Sequence, residues 1–101
     1  MLYNCIFRFN GSLRSQSIPA TSEDDARRNM EEIFRRNYSG SDCELLVAEG
    51  TGAPKKKYSL FMEINGSRVT TSIIATSEKN AIGYFLKNYP QNSTWKVLSI
   101  R

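Results

Sequence analysis

The sequence predicts an α+β fold: a tandem duplication of a strand–strand–helix–strand (ββαβ) unit, with antiparallel sheets and two helices. Three observations predict it. The chain repeats itself at a spacing of 55 residues, each copy has Asn-Gly between two alternating runs, and each copy starts a helix at the same serine-led punctuation. With Tyr3 set against Tyr58, Asn10-Gly11-Ser12 falls on Asn65-Gly66-Ser67. Ser17-Ile18 then falls on Ser72-Ile73, Ala20-Thr21-Ser22-Glu23 on Ala75-Thr76-Ser77-Glu78, and Ala26 on Ala81. Further on the spacing becomes 51, and Asn37-Tyr38 falls on Asn88-Tyr89. The second copy has lost four residues inside its helix, close to one turn, which shortens the helix and keeps its apolar face in place.

Each element follows from local pattern. Tyr3, Cys5, Phe7 and Phe9 alternate onto one face of a first strand, as do Tyr58, Leu60, Met62 and Ile64 in the second copy. Asn-Gly supplies the two positive-φ positions of a type I′ hairpin turn. Second strands are expected near Leu13–Ala20 and Arg68–Ala75, and Pro19 places its strand at a sheet edge because it has no N–H to donate. Ser22 and Ser77 cap helices whose apolar stripes are Ala26, Met30, Ile33, Phe34 and Tyr38, and Ala81, Ile82, Phe85 and Tyr89. Ser39-Gly40 and Pro90 end them. The third strands are Glu44–Glu49 and Trp95–Ile100.

The units are residues 1–49 and 58–101, with residues 50–57 (Gly-Thr-Gly-Ala-Pro-Lys-Lys-Lys) as a surface linker. A unit this small buries too little apolar surface to stand alone, so the two copies are expected to share a core and form one compact pseudo-symmetric domain. Strand order 2-1-3 is expected in each unit. The units can join edges into one continuous six-stranded sheet or pack face to face, and the pattern leaves both open.

Composition narrows the function. At 40% apolar and 24% charged residues the chain is expected to fold as a soluble globular protein. No run approaches the roughly 20 apolar residues of a membrane span. The opening Met-Leu-Tyr-Asn-Cys-Ile-Phe-Arg has no secretory pattern, so a cytoplasmic location and free thiols at Cys5 and Cys43 are expected. Histidine is absent, which removes the commonest general base and metal ligand. No phosphate loop, nucleophile elbow or paired-aspartate metal motif is present. The expectation is a non-enzyme with no cofactor, no metal and no catalytic residue.

Charge is split between the copies. Residues 1–49 carry six Arg, no Lys and eight carboxylates, whereas residues 50–101 carry eight cations and two carboxylates. The arginines of the first helix are preceded by acids four residues earlier (Glu23/Arg27, Asp24/Arg28, Glu31/Arg35, Glu32/Arg36), the favourable order for ion pairs on a solvated face. The candidate partner-binding residues are therefore Lys55, Lys56 and Lys57 of the linker, Arg68, Lys79, Lys87 and Lys96 of the basic copy, and the apolar pair Ile6 and Phe61. That pair occupies equivalent positions opposite the main stripe. Gly83 interrupts the second helix, and close approach of the first helix would account for it.

The leading expectation is a small binding protein that occupies a surface of a larger protein or protein complex. The layout is similar to that of small ββαβ accessory proteins of phages and mobile elements, including inhibitors of host defence such as anti-CRISPR proteins. That likeness is one of size and layout and transfers no residue. The alternatives are DNA or RNA binding through the basic copy, and a structural role as a homodimer through an Ile6/Phe61 face. No membrane partner is expected, and a monomer is as consistent with the pattern as a homodimer.

Overall fold

The computed structural model describes all 101 residues. The elements are β1 (Leu2–Phe9), β2 (Ser12–Pro19), α1 (Glu23–Asn37), β3 (Cys43–Gly50), β4 (Lys56–Ile64), β5 (Ser67–Ala75), α2 (Glu78–Leu86) and β6 (Trp95–Ile100). They form two antiparallel three-stranded sheets, β2-β1-β3 and β5-β4-β6, so the α+β duplication holds with order 2-1-3 in each copy. The continuous six-stranded sheet does not form. The linker is also shorter than the sequence suggests, because β4 already begins at Lys56.

The repeated signals act locally as expected. Asn10 and Asn65 both take φ of 50°, and Gly11 and Gly66 take 84° and 85°. Each asparagine does a second job. The carboxamide oxygen of Asn10 accepts from the Asp42 N–H at 2.9 Å, and that of Asn65 from the Thr94 N–H at 3.0 Å, so the hairpin turn holds the start of the third strand. Ser22 and Ser77 cap their helices by accepting from the N–H of Asp25 and Asn80. The third strands carry a bulge at matching places, Leu46 and Leu98, where two residues oppose one. That register sets Glu44 against Arg8 as it sets Lys96 against Glu63. The copies thus align at a spacing of 52 in the third strand, not 51.

The helices differ in their surroundings. Of 15 residues in α1, Ala26 and Met30 are buried, under β1 and β3. In the nine-residue α2, Asn80, Ala81, Gly83, Phe85 and Leu86 are all buried, because α2 lies against β4 and β5 of its own sheet and also against β3 of the first copy. This joint between copies explains three residues that local pattern leaves obscure. Gly83 meets the Leu46 carbonyl of β3, so the close approach comes from a strand and not from α1. Asn80 is fully buried, and its carboxamide pairs with Ala48 as a peptide group would: it accepts from the Ala48 N–H at 2.9 Å and donates to the Ala48 carbonyl at 2.8 Å. Arg8, buried on β1, donates to the Leu86 and Tyr89 carbonyls at the end of α2 and pairs with Glu44 at 2.8 Å. A guanidinium there answers the orphan carbonyls and the negative pole of the helix end.

The copies do not share a single core: each helix covers its own sheet, so each copy keeps a core of its own, and β3 contributes to both. Tyr3, Cys5, Phe7, Ile18, Ala20, Ala26, Met30 and Ala48 form the first. Tyr58, Leu60, Met62, Ile64, Ala75, Ala81, Phe85 and Leu86 form the second, and Leu46 and Val47 of β3 complete it from across the joint. Cys5 and Cys43 are free thiols. On α1, Glu23–Arg27 and Glu32–Arg36 pair at 3.1 and 2.8 Å, but Arg28 turns to Asp25 at 3.7 Å instead of Asp24, and Arg35 makes no pair with Glu31. No helix is long and apolar enough to cross a membrane.

Candidate binding face

The two sheets use one of their faces differently. In β2-β1-β3 the face turned away from α1 carries Ile6 and Val47, and both pack against the second core. In β5-β4-β6 the structurally equivalent residues, Phe61 and Ser99, are exposed, and Phe61 keeps 41% of its surface. Ile6 and Phe61 therefore share a position in the repeat but no surface. The single apolar face that would join them for self-association does not exist.

Alternation along β4 and its register with both neighbours define the open face. One row across the sheet is Arg68–Glu63–Lys96, and the next is Thr70–Phe61–Ser99. Ser72 and Arg101 flank Ser59 in the third row, Arg101 through mutual backbone hydrogen bonds of 2.8 and 3.0 Å. Ile74 stands beside Lys57 in the last row. Strand spacing and rise give this face dimensions of about 10 by 20 Å. It is an exposed phenylalanine on a floor of serine and threonine hydroxyls, with Lys57, Arg68, Lys96 and Arg101 around it and Glu63 as its one carboxylate.

The first copy has a different set of side chains at the same positions. Register places Leu2 where the second copy has Lys57, Leu13 where it has Arg68, Glu44 where it has Lys96, and Glu49 where it has Arg101. All four cations of the open face are thus peculiar to the second copy. None of them forms a salt bridge within the chain, whereas Arg8, Arg27, Arg28, Arg36 and Lys55 do.

The remaining residues marked from sequence are scattered. Lys55 pairs with Glu49 at 3.5 Å. Lys56 lies over the Tyr58 ring and Lys87 over the Tyr84 ring, at 5.0 and 5.4 Å from the centroids. Lys79 borders a groove of about 220 Å³ between β3 and α2, with Leu45, Leu46, Ile82 and Trp95. The lysine run is therefore spread over different surroundings, and only Lys57 lies on the open face. Arg101 is not among the candidate residues marked from sequence; strict alternation from Lys96 would put it on the opposite face, and the bulge at Leu98 is what brings it round to Phe61.

The other clefts carry little chemistry. A shallow cleft at the end of α1 is lined by Glu31, Phe34, Arg35, Tyr38 and Cys43. Desolvation, with the Asp42 carboxylate beside it, raises the Cys43 thiol above its usual range, which disfavours the thiolate a nucleophile needs. Burial pushes Cys5 up to about 11. Burial, with a hydrogen bond to Glu49 at 2.7 Å, pushes Tyr84 up to about 12. No three His, Cys, Asp or Glu side chains come together in a way that could hold a metal ion. No family model, curated protein or solved structure matches this chain.

Proposed function

We propose that this chain is a non-catalytic binding protein that occupies an acidic surface of a larger protein through the open face of β5-β4-β6. One observation carries the reading: Lys57, Arg68, Lys96 and Arg101 surround an exposed Phe61 at positions where the first copy has no cation. Gathering like charges on one small face opposes folding, and Glu63 is the one carboxylate set among them, without an ion pair to any. A cationic ring around an apolar centre supports docking on an acidic partner surface. The ring residue supplies the desolvated anchor and the rim charges steer encounter. Action by occupation alone is also what an inhibitor of a host machine carried by a phage or mobile element requires, and the reading includes that role.

A second reading is favoured by the same ring. Single-stranded nucleic acid could stack one base on Phe61, a contact of about 1–3 kcal/mol, with its phosphates on the surrounding cations. One experiment separates the two. The chain and a variant with Lys57, Arg68, Lys96 and Arg101 all changed to Glu are used as bait in host lysate, and both are titrated with labelled oligo-dT at 50 and 200 mM salt. The protein reading expects a specific protein retained at stoichiometric yield by the native chain and lost with the variant, whose melting temperature stays close to native. The nucleic-acid reading expects oligonucleotide binding that falls steeply with salt. Equal retention by chain and variant, with no oligonucleotide bound, would remove this face from consideration.

A further inference from the structure

The two third strands are twins, yet only one has its outer edge covered. Residues along an antiparallel edge strand alternate between turning their N–H and C=O to the neighbour and turning them outward. In β3 the outward pair at Ala48 is taken entirely by the Asn80 carboxamide, and the next outward carbonyl, Leu46, abuts Gly83. In β6 the residue equivalent to Ala48 is Ile100, which stands opposite Leu60 as Ala48 stands opposite Cys5. Ser59 and Arg101 exchange both of their backbone bonds, so Ile100, one residue on, turns its N–H and C=O away from β4. β6 ends its sheet, and no backbone or side-chain group of the chain bonds to that pair. The chain therefore holds two copies of one amide-binding position, with one filled and one empty.

The same comparison shows what does not fill it. The twin of α2 is α1, so a second copy of the chain would have to offer α1 to the empty edge. There Asp25 replaces Asn80, and Arg28 replaces Gly83. Even a lone Cβ at Gly83 would lie 1.8 Å from the strand carbonyl, so the whole arginine side chain cannot enter. Pairing of β6 with β6 from a second copy would bring together two strands that carry Lys96 and no carboxylate, each beside a cationic face. These two modes of self-assembly are therefore opposed, the first by shape and the second by charge.

We infer that the outer edge of β6, anchored at the N–H and C=O of Ile100, accepts the backbone of an extended acidic segment of the partner protein. The segment supplies the peptide group that Asn80 imitates at Ala48, and its carboxylates face Lys96 and Arg101. This rests on the open face of the second sheet being the docking surface, and it adds the mode and chemistry of the partner.

The test is an NMR titration of the whole chain with an acetylated hexapeptide alternating Glu and Val. A Lys/Val counterpart, a Glu/Val peptide with alternate backbone nitrogens methylated, and oligo-dT serve as comparisons. The acidic peptide is expected to shift the amide resonances of Val97 and Ile100 and to slow exchange of the Ile100 amide on the order of tenfold. The Lys/Val and N-methylated peptides leave both unchanged. Ile100→Pro removes the outward N–H at an edge position that tolerates proline, and should abolish the effect, whereas Ile100→Val should preserve it. Equal binding of the N-methylated peptide, or shifts at Phe61 with none at Ile100, overturns the edge inference and leaves the face reading standing. Silence at both Phe61 and Ile100 overturns both, and displacement of the peptide by oligo-dT from Phe61 assigns the face to nucleic acid instead.

Discussion

Gly83→Ala should destabilise this protein, although the same change on an exposed helix face would stabilise it. Alanine is the better helix former by about 1 kcal/mol, so propensity alone predicts a gain. At Gly83 the added Cβ would sit 1.8 Å from the Leu46 carbonyl oxygen and 2.5 Å from its carbon, where ordinary contact begins at 3.4 Å. Those atoms belong to backbone in a paired strand and have little room to yield. Helix α2 must then retreat from β3 by about 1.6 Å to restore van der Waals contact. A retreat of that size takes both Asn80–Ala48 bonds, now 2.9 and 2.8 Å, beyond hydrogen-bonding reach. Two buried bonds left unmade cost about 1–3 kcal/mol each, and after the propensity gain a net loss of about 3 kcal/mol remains. For a domain of this size that corresponds to a fall in melting temperature of about 12 to 24 °C. Circular dichroism melts of Gly83→Ala and of Arg28→Ala, the equivalent site on exposed α1, provide the measurement. The first should melt far below the native chain and the second within a few degrees of it. If Gly83→Ala melts at or above the native temperature, the joint between α2 and β3 is not as tight as the structure shows.

Two further outcomes follow from the asymmetry of the copies. Ile6→Asp should destabilise the chain by about 1–3 kcal/mol in urea titration, because it sets a carboxylate in a half-buried position against the second core, whereas Phe61→Asp should leave stability within about 0.5 kcal/mol. Similar midpoints for the two variants would mean that Ile6 is not held between the copies. Tyr84 provides a pH signature. Its hydroxyl is raised from 10 to about 12 in the folded state, by burial and by Glu49, so the fold favours the neutral form. That contribution is full below pH 10 and is lost as pH rises through 12. Ultraviolet titration of tyrosinate should show one late step that disappears in Tyr84→Phe; its persistence there would assign the late step to another tyrosine.

The sequence alone determined the turns, caps and strand faces, whose cause lies within a few residues. Asn10-Gly11 and Asn65-Gly66 need positive φ, Ser22 and Ser77 sit one turn from the N–H they cap, and strand alternation is a property of the extended chain. Those elements and the 2-1-3 order of each sheet were legible for that reason. Ion pairs on α1 were legible only in part, since several partners lie within reach on one helix face and Arg28 takes Asp25. The relation between the copies was not legible, because it depends on contacts between residues far apart in the chain. Asn80 reads locally as a first-turn helix residue, Gly83 as a weak point in a helix, and Arg8 as a polar residue on a strand. Only tertiary structure makes them an imitation peptide group, a clearance for a strand and a helix cap. The same joint decides the candidate site. Packing Ile6 and Val47 against the second core covers the middle of one face and leaves its twin around Phe61 open. The charge split between the copies was visible in the sequence, but the strand register was needed to show that four of those cations share one face.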